Sequence, residues 1–176
     1  MDPRPNTVEI LNHSLPLWCL QLNMQHSRNA TSNIVQIINE QNIDIIFMQE
    51  PYVIKNQLAG LPKKFVIFTG GNEKKQTAII ANNNKMDIIA INQLSNSDCV
   101  VVEVRTNKQK FYAASLNSDN HRDIGHDIKQ IESILDNAKD SRIRITTNTN
   151  ARSTTWFDKK TNQRGKLLEE FVTTRN

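Results

Sequence analysis

Long hydrophobic runs are absent from this 176-residue sequence, and cysteine is scarce. No apolar stretch approaches the roughly 18 residues needed to cross a bilayer, and residues 1–14 are polar, without the apolar segment of a secretory signal peptide. Two cysteines are too few for a disulfide framework. Both Cys19 and Cys99 lie in apolar, strand-like runs, so we expect buried, reduced thiols. The sequence predicts a soluble intracellular protein and does not distinguish nucleus from cytoplasm.

Linkers rich in proline, glycine or serine and internal repeats are also absent. The length suits one domain, and 38% hydrophobic with 23% charged residues can support a packed core. We predict an N-terminal extension at residues 1–16 and one domain at residues 17–176. The net charge of +4 is a modest excess of scattered basic residues. It allows an anionic partner, but an ordinary solvated surface would look the same.

Apolar periodicity along the chain predicts alternating strands and helices. Strands are expected at residues 15–22, 43–48, 65–69, 77–81, 87–91, 100–105, 110–116 and 142–146. Helices are expected at residues 29–41, 122–138 and 164–172, and a loop at residues 148–161. The strands between residues 65 and 116 are joined by turn-like segments, which favour antiparallel hairpins. This order indicates a layered α/β domain with mixed sheets and outer helices.

Distinctive polar residues follow four of the apolar runs. Asn23, Glu50 and Asn117 each end such a run, and Asn148 and Asn150 follow the last predicted strand. In layered α/β folds, functional residues collect at strand ends and in the loops beyond them. A lone acid such as Glu50 is usually an ordinary loop carboxylate, so it is the repeated pattern that indicates a site.

Four segments carry a family resemblance: residues 20–27 (LQLNMQHS), 47–52 (FMQEPY), 148–156 (NTNARSTTW) and 164–171 (RGKLLEEF). In order and spacing they resemble the endonuclease/exonuclease/phosphatase-type endonuclease domain of insect-type non-LTR retrotransposons, which is related to abasic-site endonucleases. The resemblance implies a four-layered α/β sandwich that nicks DNA with Mg²⁺, or alternatively Mn²⁺, and a former fusion to a reverse transcriptase. We therefore expect DNA as the partner, no membrane association and a monomer.

The resemblance assigns roles to individual residues. Glu50 matches the metal-ligating glutamate, a carboxylate of the kind that Mg²⁺ requires. Asn23 matches the asparagine that helps to organise the metal site. Asn150 matches an asparagine whose amide can hydrogen-bond a phosphate oxygen or hold the attacking water.

Two positions depart from the family pattern. Asn148 stands where the family has the aspartate that orients and deprotonates the attacking water, and an amide cannot accept that proton at neutral pH. Loss of a general base typically lowers the rate by about 10² to 10⁴, which is roughly 3 to 5 kcal/mol of barrier. Asn117 stands where the family has a tyrosine that supports the transition-state phosphate. We expect an impaired catalytic site.

The family also continues beyond the last predicted helix, into strands that carry a Ser-Asp-His motif. None of His13, His26, His121 and His126 has that sequence context, and we expect His121 and His126 to be solvated. The chain therefore resembles a C-terminally truncated copy. A two-sheet sandwich without those strands is expected to leave an exposed edge and an uncovered apolar face.

Candidate DNA contacts lie in the motif segments. Arg28 and Arg152 could hold phosphates, and Trp156 could lie along the sugar-phosphate path or wedge at a groove. The alternative is that Trp156 anchors its loop in the core and the arginines are solvated. Trp18, within a predicted strand, is expected in the core.

Three functions remain after these observations. The first is a retrotransposon-derived endonuclease domain with impaired Mg²⁺-dependent DNA nicking. The second is a noncatalytic, domesticated module that binds DNA or protein through the same face. The third is a phosphatase-like member of the same fold, which the retrotransposon-like residues 151–156 disfavour.

Overall fold

The computed structural model describes residues 16–82, 86–107 and 109–175. The predicted N-terminal extension, apart from residue 16, lies outside the described residues, as does His13. The described strands are β1 (Cys19–Asn23), β2 (Ile45–Gln49), β3 (Val53–Ile54), β4 (Gln57–Leu58), β5 (Val66–Phe68), β6 (Thr77–Ala81), β7 (Asp87–Ala90), β8 (Cys99–Arg105), β9 (Lys110–Asn117) and β10 (Arg142–Asn148). The α-helices are α1 (Arg28–Glu40), α2 (Ile124–Ala138) and α3 (Gln163–Thr174).

The first sheet has the strand order β1-β2-β6-β5. Its parallel pair β1 and β2 is connected by α1, which begins where the Ser27 side chain accepts a hydrogen bond from the Ala30 amide. One face of α1 buries Ile34 and Ile38 against this sheet, at the i, i+4 spacing expected of an amphipathic helix. Strands β5 and β6 are antiparallel, as the sequence predicts.

The second sheet has the strand order β10-β9-β8-β7. Strands β7, β8 and β9 are successive antiparallel neighbours, and β10 returns parallel to β9 through α2. The parallel register places Asn148 directly beside Asn117, with both side chains on the same face of the sheet. The last residues of two strands are thereby brought together.

Apolar side chains fill the space between the two sheets and between each sheet and its helices. Ile45, Phe47 and Ile79 of the first sheet pack against Val100 and Val102 of the second. Separate clusters lie between α1 and the first sheet, and between the second sheet and α2. The order helix, sheet, sheet, helix confirms the predicted four-layered α/β sandwich. No helix within the described ranges is long and apolar enough to cross a membrane.

Three local predictions are wrong. Strands β6 and β7 do not form a hairpin, because they belong to different sheets. Trp18 is 59% exposed and Cys19 is also exposed, because the chain enters the fold along an edge strand. Both Cys19 and Cys99 are free thiols, and only Cys99 is buried as expected. The short antiparallel hairpin of β3 and β4 was not predicted.

Strands β1 and β10 are edge strands in the described part of the chain. The side of β1 that shares a face with Phe47 carries exposed Cys19 and Gln21. The corresponding side of β10 carries exposed Arg144 and half-buried Thr146. The sheet edges are exposed, and the side chains at these two edges are mainly polar. Exposed apolar side chains lie on the other edge strands, Val66 and Ile67 on β5 and Ile89 on β7.

Candidate active site

An open cleft lies where β2 and β9 end and where β6 and β8 begin. Its volume is about 340 Å³. The cleft is lined by His26, Glu50, Gln76, Asp98, Asn117, Ser118, Asp119, Asn120, His121 and Asn150. Three of the residues singled out from the sequence, Glu50, Asn117 and Asn150, therefore face one cleft although they come from separate parts of the chain.

Glu50 follows β2 and is held by its backbone. Its amide donates to the Gln76 carbonyl at 2.8 Å, and its carbonyl accepts from the His26 amide at 2.8 Å. None of the ion pairs among the described residues involves the Glu50 carboxylate. The carboxylate is half-buried at the cleft wall. It is therefore placed to bind a cation from the cleft.

Asn23 does not line the cleft, but it shapes the turn beside Glu50. Its side-chain oxygen accepts from the Gln25 amide at 2.8 Å, a local turn that asparagine commonly forms. The turn brings the His26 amide to Glu50, and a His26 ring nitrogen lies 3.1 Å from the Pro51 carbonyl oxygen. Asn23 is thus placed to organise the Glu50 backbone.

Four residues at or beside the cleft have a left-handed backbone conformation, which five other described non-glycine residues elsewhere in the chain share. Gln25, His26, Glu50 and Asn150 all have φ between 47° and 53°. Residues with a Cβ adopt this region at a cost, and such residues concentrate at functional sites. The surrounding hydrogen bonds hold these residues in place, which fixes the direction of the Glu50 and Asn150 side chains.

Asn117 lines the cleft, and Asn148, which does not itself line it, is the partner of Asn117 in the register of β9 and β10. Asn117 is 8% exposed, and its buried side-chain oxygen has no hydrogen-bond partner among the described residues. Buried polar atoms are rarely left unpaired, so this atom indicates a bound water, ion or ligand group. Asn148 is half-buried, and its carbonyl accepts from the Ser118 amide at 3.0 Å. Its side chain shares the face of Asn117 beside the cleft.

Asn150 lies in the loop that follows β10. Its side-chain amide nitrogen donates to the Ser118 carbonyl at 3.4 Å, and its backbone carbonyl accepts from the Asn162 side chain at 3.0 Å. The first contact is long for a hydrogen bond, so this amide could exchange it for a ligand oxygen in the cleft.

A buried polar network joins strands β2, β6 and β9 close to the ends that carry cleft residues. The Gln49 side chain donates to the Ser115 hydroxyl at 2.9 Å and accepts from Gln21 at 2.8 Å. The Ser115 and Thr77 hydroxyls are 2.7 Å apart. Gln49, Ser115 and Thr77 are fully buried. Fully paired networks of this kind fix the relative position of the strands that they join, here β2, β6 and β9.

Several cleft residues were missed by sequence reasoning. Asp98 precedes β8, and Asp119 and His121 follow β9, where they read as ordinary loop residues. His121 is exposed, as expected, yet it lines the cleft, and His126 is exposed outside it. The polar run at residues 117–121 after a buried strand was the only sequence signal available for Asp119 and His121.

A cluster of three charged residues, Asp98, Arg122 and Asp127, lies beside this part of the cleft. Arg122 donates to Asp98 at 2.8 Å and to Asp127 at 2.9 Å. Burial alone would lower the pKa of the Arg122 guanidinium, but the hydrogen bonds to the two carboxylates outweigh it and raise the pKa. Arg122 therefore stays charged beside the cleft.

The predicted DNA-contact residues lie in segments that adjoin the cleft residues in sequence. Arg28 is exposed in the first turn of α1, two residues after His26. The Arg152 side chain is 60% exposed, with Asp158 at 3.9 Å, and Trp156 is held by a 3.1 Å hydrogen bond from its ring nitrogen to the Ala151 carbonyl. Trp156 is therefore partly an anchor of its loop, with an exposed edge.

The oxygen atoms of the cleft fit a hard divalent cation. Glu50 lines the cleft, and its carboxylate is a candidate ligand; the Asn117 oxygen is buried and unpaired among the described residues. No group of three or more His, Cys, Asp or Glu side chains among the described residues could hold a metal by itself. Mg²⁺ is commonly bound through one or two carboxylates, with water and substrate phosphates completing its shell. A divalent cation bound here would therefore need water or substrate oxygens to complete its shell.

Neither a family model nor a curated protein matches the chain by sequence. Solved structures do match. The endonuclease domain of TRAS1, a telomere-specific non-LTR retrotransposon, superposes with a TM-score of 0.81 at 24% identity, over 90% of this chain and 70% of that domain.

Two further structures share the architecture at lower similarity. An endonuclease/exonuclease/phosphatase family protein from Bacteroides thetaiotaomicron gives a TM-score of 0.62 at 14% identity, over 89% of this chain and 67% of its own. D. rerio TDP2, complexed with a single-strand DNA product, gives 0.53 at 16% identity, over 77% of this chain and 60% of its own. The two sheets, the helix layers and these superpositions together show that the chain has the fold of the endonuclease/exonuclease/phosphatase proteins.

Proposed function

We propose that the chain is an endonuclease-type domain that binds Mg²⁺ and the DNA backbone at the cleft and nicks DNA slowly. The observation that carries the proposal is the convergence of Glu50, Asn117 and Asn150 on one cleft, with an unpaired buried oxygen on Asn117. The similarity to the TRAS1 endonuclease domain supports DNA as the substrate. The chain spans 70% of that domain, so its activity has to be tested directly.

In this proposal each side chain has one task. Glu50 holds Mg²⁺, which would supply electrostatic stabilisation to the scissile phosphate. The Asn150 amide donates to a phosphate oxygen or to the attacking water. Asn148, beside Asn117 at the end of β10, can orient a water but cannot take its proton. The slow step is therefore the deprotonation of the nucleophile.

Nicking of supercoiled plasmid in the presence of Mg²⁺ tests the proposal. Asn148→Asp changes an amide to a carboxylate of the same shape, so we expect the nicking rate to rise by about 10² to 10⁴. Adding Glu50→Gln to Asn148→Asp should abolish that gain. Glu170→Gln, which removes an exposed carboxylate on α3, serves as the matched control and should leave the rate unchanged.

Two results contradict the proposal. If folded Asn148→Asp protein nicks no faster than the unaltered chain, a missing base at this position is not what limits the reaction. If the unaltered chain cleaves DNA at a high rate and Glu50→Ala removes the activity, the site is not impaired, and another group serves as the base.

DNA binding without cleavage is the second candidate function. It is favoured by the exposed Arg28 and Arg152 in segments that adjoin the cleft residues in sequence, and by the amide at position 148. Binding through phosphates should weaken as salt increases, with a slope of about 0.9 per contact in a plot of log affinity against log salt. Arg28→Ala with Arg152→Ala should reduce the affinity and the slope. An unchanged affinity would exclude this face, and cleavage by the unaltered chain would exclude a purely binding role.

A further inference from the structure

The Arg164 side chain, in the first turn of α3, reaches from the helix to the loops behind the cleft. It is only 16% exposed. Its Nε donates to the Thr149 carbonyl at 2.8 Å, and Nη1 donates to the Arg122 carbonyl at 2.6 Å. Its Nη2 contacts the Ser118 hydroxyl and lies 3.3 Å from the Asp127 carboxylate. One guanidinium thus joins α3 to three other segments.

Two of those contacts lie next to the proposed site residues. Thr149 stands between Asn148 and Asn150. Ser118 donates its backbone amide to the Asn148 carbonyl and accepts from the Asn150 side chain. By fixing both Thr149 and Ser118, Arg164 fixes the two chain segments that carry Asn148 and Asn150.

The contacts require the shape of an arginine side chain. A guanidinium offers donors in a rigid, planar fork, whereas a lysine ammonium is a single flexible point charge. The nearby Asp127 is 5% exposed and balances the positive charge of Arg164, so the cation can stay buried. Two of the guanidinium donors bind backbone carbonyls in different loops, those of Thr149 and Arg122, and so set the distance between the two loops.

The residues beside Arg164 reinforce the same loop. The Asn162 side chain donates to the Asn150 carbonyl at 3.0 Å and accepts from the Arg152 amide at 3.0 Å. Gly165 lies so close to the Arg152 carbonyl that a Cβ at this position would overlap it. The first turn of α3 therefore packs directly against the loop that carries Asn150, with no room for a side chain at position 165.

We propose that Arg164 is a positioning residue, which sets the geometry of Asn148 and Asn150 through Thr149 and Ser118. Its effect on catalysis rests on the proposed function, but its effect on the loop does not. This role accounts for Arg164 and Gly165, the first two residues of the family-like segment at residues 164–171. Arg164 holds the loop by hydrogen bonds, and Gly165 allows the helix to approach it.

The test compares Arg164→Lys with Arg175→Lys, a matched change at the C-terminal end of α3, where Arg175 pairs with Asp136 and Glu132 on the surface. Both changes are made in the Asn148→Asp protein. We expect Arg164→Lys to lower kcat for plasmid nicking by about 10- to 100-fold, because small displacements of reacting groups are costly in rate. The Kd for DNA should change less than threefold. Arg175→Lys should change neither quantity.

Amide hydrogen exchange provides a readout that does not depend on activity. In Arg164→Lys, the hydrogen-bonded amides within residues 149–152, those of Ala151 and Arg152, should exchange at least tenfold faster, while those of β2 and β6 keep their rates. Asn162→Ala removes the N-cap of α3, the acceptor of the Arg152 amide and the donor to the Asn150 carbonyl, so it serves as a positive control in which exchange at these residues should increase.

The outcomes separate the two proposals. Unchanged exchange at residues 149–152 in Arg164→Lys would overturn the positioning role. Equal acceleration throughout the chain would also overturn it, since that result indicates general destabilisation. Absence of nicking by the Asn148→Asp protein, together with local acceleration at residues 149–152, would contradict the proposed function and support the positioning role.

Discussion

The Asp127 carboxylate offers a test of the charged cluster behind the cleft that does not depend on activity. It is 5% exposed and accepts from Arg122 at 2.9 Å, from Arg164 at 3.3 Å and from the Ser118 hydroxyl. Asp127→Asn keeps the shape of the side chain but removes its charge. It also turns one oxygen into an amide nitrogen that must face the donors of an arginine or of Ser118.

The expected loss of stability follows from the burial of each partner. Removing one member of a buried ion pair typically costs about 3 to 5 kcal/mol. Arg164, 16% exposed, should approach that range. Arg122 is 35% exposed and retains its ion pair with Asp98, so solvent screening reduces the cost of removing its pair with Asp127. We therefore expect Asp127→Asn to lower the free energy of unfolding by about 2 to 4 kcal/mol.

Urea unfolding followed by circular dichroism measures this loss. For a slope near 2 kcal/mol per molar urea, the midpoint should fall by roughly 1 to 2 M. The matched control is Asp136→Asn, because the Asp136 side chain is 71% exposed in its 3.3 Å pair with Arg175. The control should shift the free energy of unfolding by less than about 0.5 kcal/mol. Equal midpoints for the two variants would refute the view that Asp127 balances buried charge.

Three further predictions concern reactivity, pH and packing. At pH 8 a thiol reagent should label Cys19 in the folded protein because its side chain is exposed, although partial burial raises the pKa of this thiol as well. Cys99 should react only after unfolding, because burial raises the pKa of its thiol to about 12, and equal labelling by mass spectrometry would contradict this. The Ser153 hydroxyl, which donates to Glu169, is the main cause that lowers the pKa of this carboxyl below its ordinary 4.5. The stabilisation of the folded protein by this hydrogen bond is therefore present above pH 4.5 and is lost as the pH falls through the folded-state pKa of Glu169. As the pH falls through the folded-state pKa, the difference in urea midpoint between the unaltered chain and Glu169→Gln should disappear. A difference that persists at lower pH would exclude the hydrogen bond from Ser153 to the Glu169 carboxylate as its cause. Phe47→Ala should lower the free energy of unfolding by about 3 to 5 kcal/mol in the same urea assay, because the ring is 1% exposed between the sheets; a loss below about 1 kcal/mol would show that the core refills the space.

The local structure was largely predictable from apolar spacing. Strand β6 was predicted with its observed bounds, and the first predicted helix, at residues 29–41, is observed as α1 at Arg28–Glu40. Both signals are local, because the spacing of apolar residues in a helix or strand is recognisable within a few residues. Trp18 and Cys19 were misplaced for the opposite reason. Their apolar neighbours indicate a strand, but only the position of that strand in the sheet decides whether its face is covered.

The candidate site was predictable only where residues end apolar runs or belong to the four family-like segments. Glu50, Asn117 and Asn150 were found in this way, and they line one cleft. Asp98 and His121 carried no comparable signal, because their loops meet the cleft only after β8 and β9 pair in antiparallel fashion. The roles assigned to these residues remain proposals that the nicking assay will test.

Three features follow from the amino-acid sequence alone: the alternation of strands and helices, the residues at strand ends and the amide at position 148. These depend on side-chain chemistry and on spacing over a few residues. The tertiary structure decided which strand ends meet, that β6 and β7 belong to different sheets, and that Arg164 reaches Thr149 and Ser118. Contacts between residues 15 to 46 positions apart depend on how two sheets and three helices pack, and no short-range pattern records that packing.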